Sequence, residues 1–155
     1  MRLLSLLILV VIVNVSKAQN YGNEWVDYSQ QYFNFPIYNT GIHRVNYAEL
    51  NNALSNNGIL ISTINTDNFQ IFGRESEVFI NIIDGGDNSM DPGDYIEFYA
   101  EKNDGWIDGK LYESPQEQPD QYYSLFNDTL QYYFTWNNAG NNNRILQETD
   151  FNYSA

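Results

Sequence analysis

Four aspartates, Asp84, Asp87, Asp91 and Asp94, fall three or four residues apart in the stretch DGGDNSMDPGD, among Gly85, Gly86, Pro92 and Gly93. Closely spaced carboxylates on a backbone that glycine lets fold inward can supply the roughly six to eight oxygens that Ca2+ takes, with Asn88 as a further donor. The spacing is not that of an EF-hand, which needs acids or amides at alternate positions, then Gly, then a distant Glu. A solvated acidic turn closed by Asx-type side-chain bonds accounts for the same residues. Asp104 and Asp108, on either side of Trp106, form a second and smaller acidic pair.

Nucleophilic catalysis requires an activated nucleophile, a base within hydrogen-bond reach and a stabiliser for the oxyanion. The chain has one histidine, His43, and no cysteine. His43 beside Arg44 reads as a half-exposed strand residue. Hydrolysis of a glycoside needs two carboxyl groups across a cleft, and nothing in the spacing of the acids places two of them so. We therefore assign no catalytic residue. Trp25, Trp106 and Trp136 are the candidates for a binding platform, because indole rings stack on the apolar faces of sugars and suit protein interfaces; in strands of period two such rings are core.

The folded elements that carry these residues begin after a leader. Arg2, an apolar run over residues 3–13 and the small-residue site Ser16-Lys17-Ala18 have the form of a secretory signal peptide, residues 1–18, with an apolar run too short to span a bilayer. The rest of the chain holds no transmembrane segment. Residues 19–137 read as one β-rich domain, and residues 138–155 as a linker or the start of a following segment. The expected location is the periplasm, the outer-membrane surface or the exterior.

Across 155 residues there are 7 Lys+Arg against 20 Asp+Glu, a formal charge of −13. Removing the leader takes away Arg2 and Lys17 and no acid, so the exported chain is more negative still. Nucleic acid and anionic membranes are repelled by such a surface. Without cysteine, an exported chain draws its stability from packing, strand pairing and any bound metal. The 13 Tyr, 9 Phe and 3 Trp supply the apolar area for that.

Hydrophobic alternation predicts a mainly β, antiparallel sandwich-like domain with one short helix. The organising pair is VFINII (78–83) and YIEFYA (95–100), joined by the acidic loop. Residues 19–30 read as an ordered lead-in or a first edge strand. YFNFPI (32–37) alternates Phe33, Phe35 and Ile37 on one face, and Pro36 argues for an edge. The turn Asn39-Thr40-Gly41 then predicts a hairpin with IHRVNY. Asn46 and Glu49 have capping-box spacing, and Tyr47, Leu50, Ala53 and Leu54 give an apolar stripe, so a helix is expected over about residues 47–56, stopped by Asn57-Gly58. FQIFG (69–73) is a further strand. Asn103-Asp104-Gly105 reads as a hairpin-like turn, and YYSLF (122–126) with LQYYFTW (130–136) as another hairpin around Asn127-Asp128.

Several segments resemble a known family. TGIHRVNYAEL (40–50), NFQIFGR (68–74), MDPGDYIEFYAEKNDGWIDGKLY (90–112) and YYSLFNDTLQYYFTW (122–136), in this order, are similar to the N-terminal, non-catalytic region of gingipain-type cysteine peptidases, in particular the PorU-like sortases of the type IX secretion system of Bacteroidota. The likeness covers most of the exported chain, and DPGDYIEFY with KNDGW is its most specific part. It implies a β-rich, propeptide-like accessory module ahead of a caspase-like catalytic domain that supplies a His and a Cys. Neither is carried over: the chain has no Cys, and His43 lies in the leading module. On this resemblance the chain is the front end of a longer protein or a truncated relative, non-catalytic by itself. Its expected partners are a following catalytic domain or type IX secretion components. The alternative from the residues alone is a free-standing secreted module, stabilised by Ca2+, that binds glycan or protein.

Overall fold

The computed structural model describes residues 22–146 apart from 121 and 139. The expected leader, residues 1–18, and the end of the expected linker lie outside the described residues. Among the described residues, seven strands form two antiparallel sheets. The first holds β1 (Phe33–Ile37), β7 (Leu130–Trp136), β3 (Phe69–Gly73) and β4 (Ser76–Glu77), in the order β1-β7-β3-β4. The second holds β2 (Gly41–Asn46), β6 (Tyr95–Ala100) and β5 (Ile80–Ile83), in the order β2-β6-β5.

Period-two alternation turns one face of each sheet inward. Ile37, Phe69, Ile71, Tyr132 and Phe134 from the first sheet meet Ile80, Ile96, Phe98 and Ala100 from the second in one buried core. Aromatic edges bridge the layers: Phe98 stands 5.8 Å from Phe35 and 6.2 Å from Tyr132, centroid to centroid. The mainly β, sandwich-like architecture expected from alternation is present. The organising pair is present too, with Ile82 opposite Ile96 and Ile83 opposite Tyr95.

Helix α1 (Tyr47–Ser55) continues directly from β2. Glu49 accepts the backbone amide of Asn46 at 2.9 Å, the carboxylate half of the expected capping box. Leu50 and Leu54 are buried in the core. Gly58, at φ +75°, ends the element as the amide of Ile59 bonds back to the carbonyl of Leu54.

Two expected hairpins do not form. β1 pairs with β7 while β2 pairs with β6, so the turn at residues 38–40 carries the chain from one sheet to the other. Pro36 nonetheless sits on an edge strand, as its missing amide requires. YYSLF is not a strand either, because its amides are taken locally. Asp120 Oδ1 accepts Tyr122 N and Tyr123 N, Ser124 Oγ accepts Phe126 N, and Asn127 Oδ1 accepts Thr129 N. Side-chain bonds of this kind compete with a ladder. Likewise VFINII is a strand only from Ile80: the amide of Val78 still bonds to Ile71 in the first sheet.

The described part of the expected linker is bound to the domain. Asn143 and Ile145 bond with Ile80 along the edge of β5, at 3.3 and 2.9 Å. Arg144 donates to the carbonyls of Thr66 and Asp67 at 3.2 and 2.8 Å.

One close approach lies between neighbouring strands of the first sheet, β3 and β7. A Cβ on Gly73 would lie 2.1 Å from Tyr132 Cε1, and the Tyr132 ring is buried. Gly73→Ala is therefore expected to destabilise the chain by about 1–3 kcal/mol or more through overpacking, read as a lower midpoint in thermal denaturation followed by circular dichroism. Burial also raises the pKa of the Tyr132 phenol above its usual value. A phenol kept neutral in the folded state contributes stability in full below its unfolded pKa of about 10, and loses it as pH rises through the higher folded value. Alkaline titration is expected to unfold the chain above about pH 10, and Tyr132→Phe to remove that part of the pH dependence.

Candidate functional site

The acidic loop, residues 84–94, closes the β5–β6 hairpin, and the carboxylates of Asp84, Asp87 and Asp94 accept amides of the loop's own backbone. Asp84 Oδ1 accepts Gly86 N at 3.0 Å, and Oδ2 accepts the hydroxyl of Thr66 at 2.5 Å. Asp87 Oδ1 accepts Ser89 N at 2.9 Å, and Asp94 Oδ2 accepts Asp91 N at 2.6 Å. Gly85, Gly86, Asn88 and Gly93 all take positive φ to allow these turns. At the centre Met90 is fully buried, so the loop is drawn over the end of the sandwich by an apolar plug. The structure does not bring Asp84, Asp87, Asp91 and Asp94 together: among the described residues no three His, Cys, Asp or Glu side chains converge as metal ligands do. The Asx-turn reading of this loop describes its bonds.

The second acidic pair has a different neighbourhood. Arg74 and Glu75 form the tight turn between β3 and β4 with φ of 51° and 63°, a conformation that costs a non-glycine residue about 1 kcal/mol or more. Arg74 reaches out to Glu101 at 3.1 Å, Asp104 at 2.9 Å and the carbonyl of Lys102 at 3.2 Å. Its guanidinium lies 5.9 Å from the ring of Trp106, and the Lys110 ammonium lies 5.6 Å from the same ring. Asp108 is buried beside them. Asp108 Oδ2, Trp106 Nε1 and Arg74 Nε have no hydrogen-bond partner, and one acceptor with two donors is a set that buried water satisfies. Trp106 is therefore held in a charged cluster that fastens the β6–β7 connection to the first sheet.

Trp25 is half-buried in a ring stack on the outer face of that sheet, 5.2 Å from Phe72, 5.3 Å from Tyr133 and 5.6 Å from Tyr32. The expected lead-in is thus a turn-rich strap across the first sheet, with no strand among residues 22–30. Trp136 differs from both. Phe33 stacks on its ring at 6.1 Å, and the residue is among those that line an open cleft of about 720 Å3, with Asp27, Gln30, Gln31 and Asn138. Reading the sequence for motifs missed these polar partners, since residues 27–31 and 136–138 come together only through the strap.

Elsewhere an apolar cavity of about 320 Å3 opens between the sheets, lined by Phe35, Ile37, Leu50 and Phe98 among others. His43 faces it, stacks 6.1 Å from Phe98, and its Nε2 lies 2.7 Å from the carbonyl of Asn39. No Ser, Thr or Cys accompanies it among the lining residues. The β6–β7 connection holds six exposed large apolar residues: Leu111, Tyr122 and Phe126 are 68%, 76% and 70% exposed, and Ile107, Tyr123 and Leu125 are exposed with them. No described helix is long and apolar enough to cross a membrane. No protein-family model, curated protein or solved structure matches the chain.

At fixed ionic strength, the thermal midpoint is expected to be the same in excess EDTA and in millimolar Ca2+, since Asp84, Asp87 and Asp94 already serve backbone donors; a midpoint that rises with Ca2+ would contradict this. Asp84→Ala is expected to lower the midpoint by a destabilisation of about 1–3 kcal/mol, because it leaves the Thr66 hydroxyl, 1% exposed, without its acceptor.

Proposed function

We propose that this chain is an exported, non-catalytic accessory module of a gingipain-type cysteine peptidase acting as a type IX secretion sortase, and that it works by docking on the catalytic domain. The observation that carries this reading is the exposed apolar surface of the β6–β7 connection. Ile107, Leu111, Tyr122, Tyr123, Leu125 and Phe126 are all exposed there, although the core has the sheets' own aromatic residues to fill it. Large apolar side chains grouped on a surface mark interaction sites, and tyrosine and phenylalanine are enriched at interface centres.

The same residues fall within the segments, 90–112 and 122–136, that carry the resemblance to that family. A docking role also agrees with how the connection is built. Arg74, Asp104 and the short helical turn Asp108–Leu111 anchor it to the first sheet while its apolar side chains stay outward. A module with one histidine and no cysteine leaves the thiol chemistry to its partner.

The test is binding of the chain to the caspase-like catalytic domain of a sortase from the same genome, by calorimetry and by hydrogen exchange. Protection is expected over residues 107–126. Tyr122→Ala and Phe126→Ala are each expected to weaken binding about tenfold or more without moving the thermal midpoint. Absence of binding, or binding untouched by both substitutions, would refute the docking role.

A further inference from the structure

The geometry points to a second binding site, for a neutral glycan, in the cleft beside Trp136. It shares no residue with the docking surface proposed above and stands independently of it. A sugar ring presents an apolar C–H face and a rim of hydroxyls, each of which both donates and accepts. Its complement is an aromatic face with carboxamides around it, because Asn and Gln offer a donor and an acceptor on one rigid group. The residues that line the cleft have this composition: Trp136, four carboxamide residues (Gln30, Gln31, Asn137 and Asn138), and Asp27 with Ser29.

The parts are held in place before any ligand arrives, which lowers the entropy lost on binding. Trp136 ends β7, packed against Phe33 at 6.1 Å and Phe134 at 6.2 Å. Gln30 Oε1 accepts the hydroxyl of the buried Thr135 at 3.3 Å. Asn138 Oδ1 accepts Asn68 Nδ2 at 3.4 Å. The opposite wall is the turn at residues 27–30, in which Gln30 N bonds to the carbonyl of Asp27 at 3.0 Å. Asp27 Oδ1 takes both the amide and the hydroxyl of Ser29, at 2.9 and 2.7 Å, and Asp27 N donates to the hydroxyl of Tyr32 at 2.9 Å. The turn is thereby tied to the Trp25 stack, since Tyr32 belongs to it.

Charge selects the class of ligand. No lysine or arginine lines the cleft among the described residues. Ser29, through its side chain and then its backbone, holds the Asp27 carboxyl below the usual carboxylate range, so it is anionic at neutral pH. Uronates, phosphosugars and nucleotides are repelled, whereas a neutral hydroxyl donates to that carboxylate. The cleft volume of about 720 Å3 and its open side suit a short run of an extended chain.

The test is titration of the isotope-labelled chain with neutral cellopentaose and maltopentaose, and with anionic oligogalacturonate, followed by NMR of the indole and side-chain amide protons. Saturable shifts are expected at Trp136, Gln30, Gln31 and Asn138 with at least one neutral oligosaccharide, at dissociation constants on the order of millimolar. Gln31→Ala and Asn138→Ala, both exposed, should weaken binding about fivefold or more with the thermal midpoint unchanged. Trp136→Phe, which keeps the contact with Phe33, should retain a weakened response. Lack of any saturable shift with neutral oligosaccharides, shifts confined to other residues, or an equal response to the anionic one would each overturn the proposal.

Discussion

Tyr132 sits where the two sheets and the long β6–β7 connection meet. Its ring fills the space that Gly73 leaves open, and its hydroxyl accepts the amide of Glu101 at 3.0 Å, one residue beyond β6 in the other sheet. A two-sheet sandwich without disulfides has few means of fixing one layer over the other, because the core contacts between them are non-directional. This hydrogen bond is directional, and its position sets the course of the next residues. Glu101 pairs with Arg74, Lys102 bonds through its amide to Thr40, and Asn103 donates to the carbonyl of Asn127 at 2.7 Å. The connection that carries the proposed docking surface thus starts and returns at one end of the sandwich.

The charge balance puts a second constraint on the same region. With 20 acids and 7 bases, cations are scarce, and the described arginines are all committed to structure. Arg44 pairs with Glu97 across β2 and β6 at 2.7 Å and lies 3.8 Å from the Tyr95 ring. Arg74 joins the strained turn to the connection, and Arg144 fastens residues 143–145 to the loop before β3. Burial lowers the pKa of Arg144, yet two carbonyls of the preceding 3₁₀ turn receive its protons. Asp27, Asp84, Asp87, Asp94 and Asp120 are turned to local work, accepting the amides of their own turns.

How much of this was legible in the sequence depends on the range of each signal. The helix was, because Asn46, Glu49 and Gly58 act within a few residues of their partners. So were the alternation of β6 and the edge placement of β1, through Pro36. The hairpins were misread because a turn such as Asn39-Thr40-Gly41 reverses the chain without saying which strand receives it. Ile37 and His43 both face the core, but from different sheets, and alternation reads the same in either case. YYSLF misled by its aromatic content, while the residues that forbid a strand there, Asp120, Ser124 and Asn127, act through side-chain bonds that a hydropathy pattern does not register. The acidic loop looked like a ligand set because spacing reports how many carboxylates are near one another, not which way they point.

The binding surfaces were the least legible for a related reason. Strand alternation specifies which residues are inside, and so it accounts for Trp25 only after the strap has folded over the sheet. Trp136 belongs to a strand whose neighbours Phe134 and Tyr132 are core, and by period two it should be core as well. It is half-exposed at the last position of β7, opposite Phe69 at the start of β3, where the first sheet ends. A residue that keeps the inward phase at a strand's end is packed by its neighbours, here Phe33 and Phe134, and is still partly open to solvent. That combination of rigid support and available surface suits recognition better than a ring standing free in solvent, and it arises at the ends of strands, where the polar loops of the chain also gather.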